Sequence, residues 1–336
     1  MPEAGIAPLA PPSRDEIVAA RGRITGTALR TPLVRLPAFS GEPEIFLKLE
    51  TLQPIGSFKI RGAANAIRSL PPGDLARGVF TASAGNMAQG VAWCARELGT
   101  SCTVVVPDHA PRAKLDPVER LGARTVAVPF DRWWRVLVER RFEGLEGAFV
   151  HPVSDPAVIA GNATIGLEIA EDLPGVATVI VPYGGGGLSC GIASGLLAAG
   201  SRARVFASEV ATAEPLAASL RADAPAPADW TASFVDGIGA RAVLAEMWPM
   251  ASRLLAGSLV VSLEEIAAAI RGLVARMRVV AEGAGGSSLA AALAGRAAVG
   301  LGGATSPLPA GPVVCVISGG NLDPAKLASI LDGRVP

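Results

Sequence analysis

The chain has 336 residues, of which 50% are hydrophobic, 18% charged and 4% aromatic, and its formal net charge at pH 7 is zero. A balanced charge with no basic stripe or acidic tail argues against nucleic acids and other polyanions as partners. The length suffices for one large domain or two ordinary ones with ample cores.

The first 14 residues, MPEAGIAPLAPPSR, lack the basic start and apolar centre of a signal peptide and are predicted to form a loose arm. The cysteines are far apart and form no CxxC pair, which indicates buried thiols in a reducing compartment rather than disulfides or a zinc site. They are Cys94, Cys102, Cys190 and Cys315. We therefore expect a cytoplasmic protein.

Short β-rich runs alternate with helical patterns along the chain. The predicted strands are 44–50, 78–83, 102–107, 124–129, 178–182, 203–209 and 313–318. This alternation is typical of βαβ units, so we predict the α/β class with parallel sheets covered by helices on both faces. Segments 222–229 and 300–312 are predicted to be surface loops. The uncharged stretch 176–201 contains Pro182 and four consecutive glycines, so it indicates a strand, a loop and a helix rather than a membrane span.

Three loops rich in small residues follow predicted strands, where parallel sheets bind their ligands. They are SAGN at 83–86, GGGGL at 184–188 and SGGN at 318–321. A fourth feature is Lys59 in QPIGSFKIRGA, which lies between Phe58 and Ile60. An amine placed toward an interior must be neutral or chemically bound. The alternative is an amphipathic lysine whose stem packs while its head reaches water.

The glycine run between a predicted strand and helix fits an anion, because its amides can converge at the positive end of the helix. A dinucleotide site is also conceivable, since Glu209 ends the next strand. However, the third glycine of GxGxxG is replaced by Ser189 or Cys190, and no Lys-Ser/Thr of a Walker motif follows. What remains is a cup for a single phosphate, or a structural turn without a ligand. A lysine combined with such a cup suggests pyridoxal phosphate, which needs an amine for its aldehyde and a grip on its phosphate.

Five motifs in order resemble the fold-type II pyridoxal-phosphate enzymes, in the branch of threonine/serine dehydratases and serine racemase. They are GSFKIRGA, SAGNMAQGVA, GNATIGLEI, VPYGGGGLSCGIASG and VISGGN, and the likeness extends from about position 30 to the C-terminus. The resemblance implies two helix-flanked, doubly wound parallel-sheet domains of the tryptophan synthase β-like type. The large cofactor-binding domain would comprise 1–77 and 152–336, and a small mobile domain at 78–151 would close over the substrate. The resemblance also implies a homodimer, and we expect no appended regulatory domain.

The same resemblance implies the roles of individual residues. Lys59 would bond to the cofactor aldehyde and act with Ser83 in catalysis, and Ser318 would meet the pyridine nitrogen. The other implied cofactor contacts are Phe58, Asn86, Gly184, Gly185, Gly186, Gly187, Leu188, Gly237 and Glu282, the last without an assigned role. The implied substrate contacts are Ser83, Ala84, Gly85, Asn86 and Met87.

Three positions depart from the family pattern. Ala84 stands where serine racemases carry the serine that exchanges protons on the face opposite the lysine, so it favours dehydration. Met87 replaces the usual histidine and could admit an apolar substrate group. Glu209 and Ala213 match cation ligands of the racemase type, but Pro215 replaces the aspartate, so we expect no metal.

The expected function is β-elimination from an L-3-hydroxy amino acid such as L-threonine or L-serine, giving a 2-oxo acid and ammonia. Alternatives are a bulkier threo-3-hydroxy substrate (phenylserine-like or hydroxyaspartate-like), a racemase, or a non-catalytic protein that binds the cofactor. The adjacent Trp133 and Trp134 could line a bulkier pocket, or could be one core and one rim residue.

Overall fold

The computed structural model describes residues 7–37 and 44–336. The first six residues of the predicted arm therefore lie outside the described part. Further along the arm, the Leu9 amide donates to the Glu246 carbonyl at 2.9 Å. The Ser13 side chain then caps the first helix through a capping box with Glu16.

The helices, numbered in chain order, alternate with strands as the sequence predicts. They are α1 (Arg14–Ile24), α2 (Lys59–Arg68), α3 (Pro72–Ala76), α4 (Asn86–Glu97), α5 (Arg112–Arg120), α6 (Phe130–Glu139), α7 (Pro156–Asp172), α8 (Gly187–Ala198), α9 (Pro215–Ala222), α10 (Trp248–Leu254), α11 (Leu263–Met277), α12 (Gly283–Ala294) and α13 (Pro324–Leu331). Short 3-10 turns cover Glu50–Leu52 and Leu301–Gly303. No helix in the described ranges is long and apolar enough to cross a membrane.

The strands form two sheets. They are β1 (Leu33–Arg35), β2 (Ile45–Leu49), β3 (Val79–Ala82), β4 (Cys102–Pro107), β5 (Arg124–Val128), β6 (Ala148–Phe149), β7 (Thr178–Pro182), β8 (Arg204–Val210), β9 (Ser258–Val261), β10 (Ala298–Val299), β11 (Thr305–Ser306) and β12 (Val313–Ile317). The larger sheet has the order β1-β2-β12-β7-β8-β9-β10-β11, and the smaller has the order β5-β4-β3-β6. The smaller sheet is parallel throughout. In the larger sheet β2, β12, β7, β8 and β9 are parallel, and β1, β10 and β11 add antiparallel edges.

Both faces of each sheet are covered by helices. Along β12, Val313, Cys315 and Ile317 pack into a cluster with α11 and α12, whereas Val314 and Val316 pack into a cluster with α7, α8 and α10. This alternation follows from the two-residue period of a strand. The β4 side chains likewise divide between an α4 face and an α6 face. The predicted α/β class with parallel, helix-flanked sheets is therefore confirmed.

The predicted strands are confirmed to within a residue or two at their ends. The short edge strands β1, β6 and β11 and the inner strands β9 and β10 were not predicted. Segment 300–312 was predicted to be a loop, and this is wrong in part, because Thr305 pairs with Val299 in an antiparallel ladder. The stretch 176–201 contains β7, the glycine loop and α8, as predicted.

The helices α2, α7 and α8 meet at glycines. A Cβ atom added at Gly161 of α7 would collide with the Arg61 carbonyl of α2. Cβ atoms at Gly166 of α7 and Gly195 of α8 would collide with main-chain atoms of the partner helix. Glycine therefore permits direct backbone contact along two seams, one between α2 and α7 and the other between α7 and α8.

A buried ion network joins α2 to α7 and to the turn after β2. Arg61 donates to Glu50 at 2.8 Å from both Nε and Nη2, and to Glu168 at 2.6 and 2.9 Å. Lys48 lies 2.6 Å from Glu168. Burial alone would raise the pKa of the Glu50 carboxyl, but the Arg61 guanidinium holds it below its usual value. This network anchors α2 two residues beyond Lys59.

Candidate active site

One cavity of about 860 Å³ lies where the loops of both sheets meet. Its walls contain every cofactor or substrate residue predicted from the sequence. These are Phe58, Lys59, Ser83, Ala84, Gly85, Asn86, Met87, Gly184, Gly185, Gly186, Gly187, Leu188, Gly237, Glu282 and Ser318. The loops converge because the carboxyl ends of parallel strands share one edge of a sheet.

Lys59 is the first residue of α2, and its amine faces this cavity. Its Nζ atom donates to the Pro152 carbonyl at 2.7 Å and lies 5.1 Å from the centre of the Phe58 ring. Burial lowers the pKa of Lys59 to about 8, although the nearby Glu282 carboxylate opposes the shift. The main-chain bond from Phe58 N to Ser318 O, 3.0 Å long, fixes the lysine beside the end of β12. A larger fraction of this amine is therefore neutral near pH 7 than for an ordinary lysine.

The glycine loop forms a narrow cup at the start of α8. Gly186 has φ of +92°, which an L side chain rarely adopts, and a Cβ atom at Gly187 would lie 2.6 Å from the Val153 carbonyl. The Cys190 amide donates a hydrogen bond to the Gly186 carbonyl, so the amides that precede Cys190 have no acceptor within the helix. Together with the helix dipole, these amides fit one phosphate group. Asn162 supports the cup by donating to Gly187 O at 3.2 Å.

Replacing Gly187 with alanine is expected to weaken pyridoxal phosphate binding about 10- to 100-fold. The new methyl group would meet the main chain at Val153, and overpacking of this kind costs about 1–3 kcal/mol. Titrating the purified protein with the cofactor measures the change. Gly272→Ala is the matched control, because nothing lies within 4 Å of a Cβ atom there. Equal affinities for the two variants would contradict the phosphate cup.

Asn86 is the first residue of α4 and faces Glu282 across the cavity. Its Nδ2 atom donates to Oε1 and Oε2 of Glu282 at 2.9 and 3.1 Å. Burial raises the pKa of Glu282 to about 7, and the Asn86 bond opposes this rise. Ser318 is 2% exposed and lines the same cavity. Gly237 lies beside this pair, and a Cβ atom there would crowd the Ala284 methyl group at 3.0 Å.

The loop between β3 and α4 places its small side chains along the cavity. The Gly85 amide donates to Ser83 Oγ at 3.3 Å, and α4 begins at the next residue. Met87 is only 1% exposed, and it packs with Ile55 and Ile60 in an apolar cluster as well as contributing to the cavity wall. Its proposed effect on substrate choice stays a prediction.

The two tryptophans have different surroundings. Trp133 lines the cavity, whereas Trp134 is 44% exposed. Beside them at the cavity mouth, Lys114 of α5 forms an ion pair with Asp236 at 2.7 Å. This pair joins the element after β4 to the loop before Gly237.

The weak cation candidates Glu209 and Ala213 lie away from the cavity. Glu209 accepts bonds from the Leu216 and Ala217 amides, each at 2.8 Å, and from Ser258 Oγ at 2.6 Å. Burial raises its pKa to about 7, against the effect of these bonds. The Glu209 carboxylate thus accepts hydrogen bonds from main-chain amides at the N-terminus of α9. The described residues contain no cluster of three metal-ligating side chains.

Several residues of the site were not predicted. Pro152 accepts the Lys59 bond and Val153 closes the glycine cup, but both act through the main chain, so their side chains gave no signal. His151, whose pKa burial lowers to about 3, accepts the Ser154 amide at 2.8 Å. Asn162 lies within GNATIGLEI and Asn321 ends VISGGN, so the motifs had marked both segments.

Comparison with known proteins assigns this arrangement to a family. The family model described as "Pyridoxal-phosphate dependent enzyme" matches residues 24–319. The chain belongs to this family. The residues also fit the cofactor, since one cavity combines a partly neutral lysine amine, a glycine loop in which a Cβ atom at Gly187 would collide with Val153, and a serine at the end of β12.

Named relatives and solved structures agree with this assignment. L-threonine ammonia-lyase of Geobacter sulfurreducens is 39% identical over 316 residues, covering 92% of this chain and 76% of that protein. Its namesake from Thermotoga maritima is 39% identical over 292 residues, covering 86% and 70%. The structure of maize serine racemase matches with a TM-score of 0.86 at 29% identity, covering 95% of this chain and 97% of that one. Threonine deaminase isoform 2 from Solanum lycopersicum, in its processed form, matches with a TM-score of 0.82 at 28% identity, covering 99% and 98%. The predicted fold-type II family is thus confirmed.

Proposed function

We propose that this pyridoxal-phosphate enzyme is a lyase that converts an L-3-hydroxy amino acid, such as L-threonine or L-serine, into a 2-oxo acid and ammonia. The observation that carries the proposal is one cavity containing the Lys59 amine, the glycine cup and Ala84. Relatives covering most of the chain are named L-threonine ammonia-lyase, which supports the same reaction.

The cofactor supplies an electron sink for the negative charge that develops at the substrate α-carbon. Amides of Gly184 to Leu188 would hold its phosphate, Asn86 its ring hydroxyl and Ser318 its ring nitrogen. The substrate carboxylate would rest on the amides and hydroxyl of Ser83 to Asn86, at the positive end of α4.

Lys59 would remove the α-proton, since a neutral amine in a partly desolvated site is an effective base. The β-hydroxyl leaves as water, and hydrolysis of the resulting enamine takes up one water again. The net products are therefore a 2-oxo acid and ammonia in equal amounts.

Ala84 separates this reaction from racemisation. A racemase must exchange a proton on each face of the α-carbon, and the methyl group of Ala84 has no exchangeable proton. Elimination requires only the lysine face. For this reason we favour a lyase, although the fold is also shared with serine racemase.

We also propose that residues 78–151 act as a mobile domain which closes over the substrate, with 1–77 and 152–336 as the large domain. Strands β3 to β6 all fall within 78–151 and pair only with one another, which supports the division. The Lys114–Asp236 pair would latch the closed form, and closure would exclude water from the charged intermediate stage. A homodimer is proposed from the family resemblance. A cytoplasmic location agrees with four free, buried cysteines in the described chain.

The test is incubation of the purified, cofactor-loaded protein with L-threonine. We expect 2-oxobutanoate and ammonia in equal amounts, with no D-allo-threonine, the epimer that inversion at the α-carbon would give. An epimer without 2-oxo acid would replace the lyase with a racemase. L-serine and L-threo-phenylserine are tested in parallel, because Trp133 lines the cavity and offers an apolar surface to a bulkier substituent. Absence of 2-oxo acid from all three substrates would overturn the proposed function.

A further inference from the structure

Asn321 ends the SGGN motif at the rim of the cavity, and the proposed function gives it no role. Its Nδ2 atom donates to the Ile55 carbonyl at 2.9 Å and to Asn86 Oδ1 at 2.7 Å. A primary amide nitrogen carries two hydrogens, so both are used. The side chain thus connects two segments far from it in sequence.

The direction of this relay of hydrogen bonds is determined at the Ile55 end. Ile55 presents a main-chain carbonyl, which can only accept, so Asn321 must direct its nitrogen there and toward Asn86. Asn86 then accepts through Oδ1 and directs its own nitrogen toward Glu282, which accepts at 2.9 and 3.1 Å. The Ile55 carbonyl alone sets this direction, because a carboxyl group whose pKa is about 7 is protonated in part near neutral pH and can also donate. Exchanging the oxygen and nitrogen of either amide would place two acceptors or two donors face to face.

Close packing holds Asn321 at the start of this relay. Gly56 has φ of +69°, and a Cβ atom there would lie 2.8 Å from Asn321 Oδ1. The Gly320 amide donates to Gly56 O at 2.9 Å, which joins the two loops directly. The glycine therefore makes room for the asparagine side chain beside the segment that leads to Lys59.

We propose that Asn321 is a positioning residue that orients the Asn86 amide, so that its NH₂ group faces Glu282 and the cofactor. The proposal rests on the proposed function in one respect, because Asn86 is there the donor to the ring hydroxyl. In the opposite orientation Asn86 would present a carbonyl oxygen, which cannot donate a hydrogen bond to that oxygen. Asn321 would act through Asn86, whose Oδ1 atom accepts its hydrogen bond.

A double-mutant cycle on cofactor affinity tests this role. The dissociation constant of pyridoxal phosphate is measured by absorbance titration for the native protein, Asn321→Ala, Asn86→Ala and the double variant. We expect Asn321→Ala to weaken binding about 3- to 10-fold, as the loss of one hydrogen bond predicts. The double variant should bind no more weakly than Asn86→Ala alone, since Asn321 has nothing left to orient.

A purely structural role for Asn321 would give losses that multiply in the double variant, and this result would overturn the proposal, as would native affinity for Asn321→Ala. Asn321→Asp provides a second variant of similar size, and it should bind as weakly as Asn321→Ala because an ionised aspartate cannot donate to Ile55 or Asn86. Asp332→Asn, at an exposed position beyond α13, is the control and should bind normally. The titration contains no amino acid, so failure of the lyase reaction would leave this test intact.

Discussion

Replacing Lys59 with alanine is expected to abolish 2-oxo acid release and the yellow colour of covalently held cofactor. The kcat/KM for L-threonine should fall by about 10⁴-fold or more, because one side chain supplies both the covalent anchor and the base. Among the described residues, no side chain other than that of Lys59 donates a hydrogen bond to the Pro152 carbonyl. Absorbance of the purified variant and a 2-oxo acid assay measure the two losses separately.

Lys326→Ala is the control for the Lys59 variant, since Lys326 is another lysine on the wall of the same cavity. We expect it to retain the colour and the activity. A Lys59→Ala protein that kept more than about one hundredth of the native rate would contradict the assignment of Lys59 as the base, given the 10²- to 10⁴-fold contribution typical of such groups.

Replacing Arg61 with alanine is expected to lower the free energy of unfolding by about 3–5 kcal/mol. The substitution leaves Glu50 and Glu168 buried without the guanidinium to which both are bonded, and breaking a buried ion pair on one side costs this much. Chemical denaturation monitored by circular dichroism gives the difference. The loss should diminish at low pH, because the pKa of Glu50 is depressed in the folded state. Its stabilising effect is present above the unfolded pKa and is lost as the pH falls through the folded pKa.

The exposed pair Arg77–Asp74 provides the matched control for Arg61. Arg77→Ala should cost less than about 1 kcal/mol, since solvent screens exposed pairs. If the two variants were equally stable, the buried network would not be what anchors α2, and the packing of its apolar face would have to explain that stability instead.

The sequence was sufficient to predict those parts of the site that depend on local pattern. A β-rich run followed by small residues and a helical period locates a loop at the end of a strand, which is how the loops 83–86, 184–188 and 318–321 were located. The roles of Asn86 and Ser318 within these loops came from the family resemblance. The apolar neighbours of Lys59 singled it out, but they left an amphipathic lysine as the alternative until the glycine loop and the family motifs were considered with it. These inferences needed no knowledge of how distant segments meet.

What could not be predicted depends on the main chain or on contacts across the fold. Pro152 serves Lys59 through a carbonyl that any residue possesses. The relay through Asn321 joins Ile55, Asn86 and Glu282, and no local pattern links their positions. Met87 is instructive, because it lies one helical turn before Val91 on the apolar face of α4 and is buried with it. The helical spacing of Met87 and Val91 indicates that Met87 packs in the core, whereas the sequence analysis emphasised an effect of Met87 on substrate choice.

The glycine seams of α2, α7 and α8 have a consequence for how this molecule could acquire new substrates. Lys59 is the first residue of α2, and the glycine cup lies at the start of α8. The main chains of both helices contact α7 directly at glycines. Larger residues along either seam would push the helices apart and so separate the Lys59 amine from the glycine cup. We therefore expect substitutions along the seams to be poorly tolerated. Trp133 also lines the cavity, but it belongs to the surface helix α6 and lies outside both seams. Directed evolution for altered specificity should accordingly yield more useful mutations at positions such as Trp133 than along the seams.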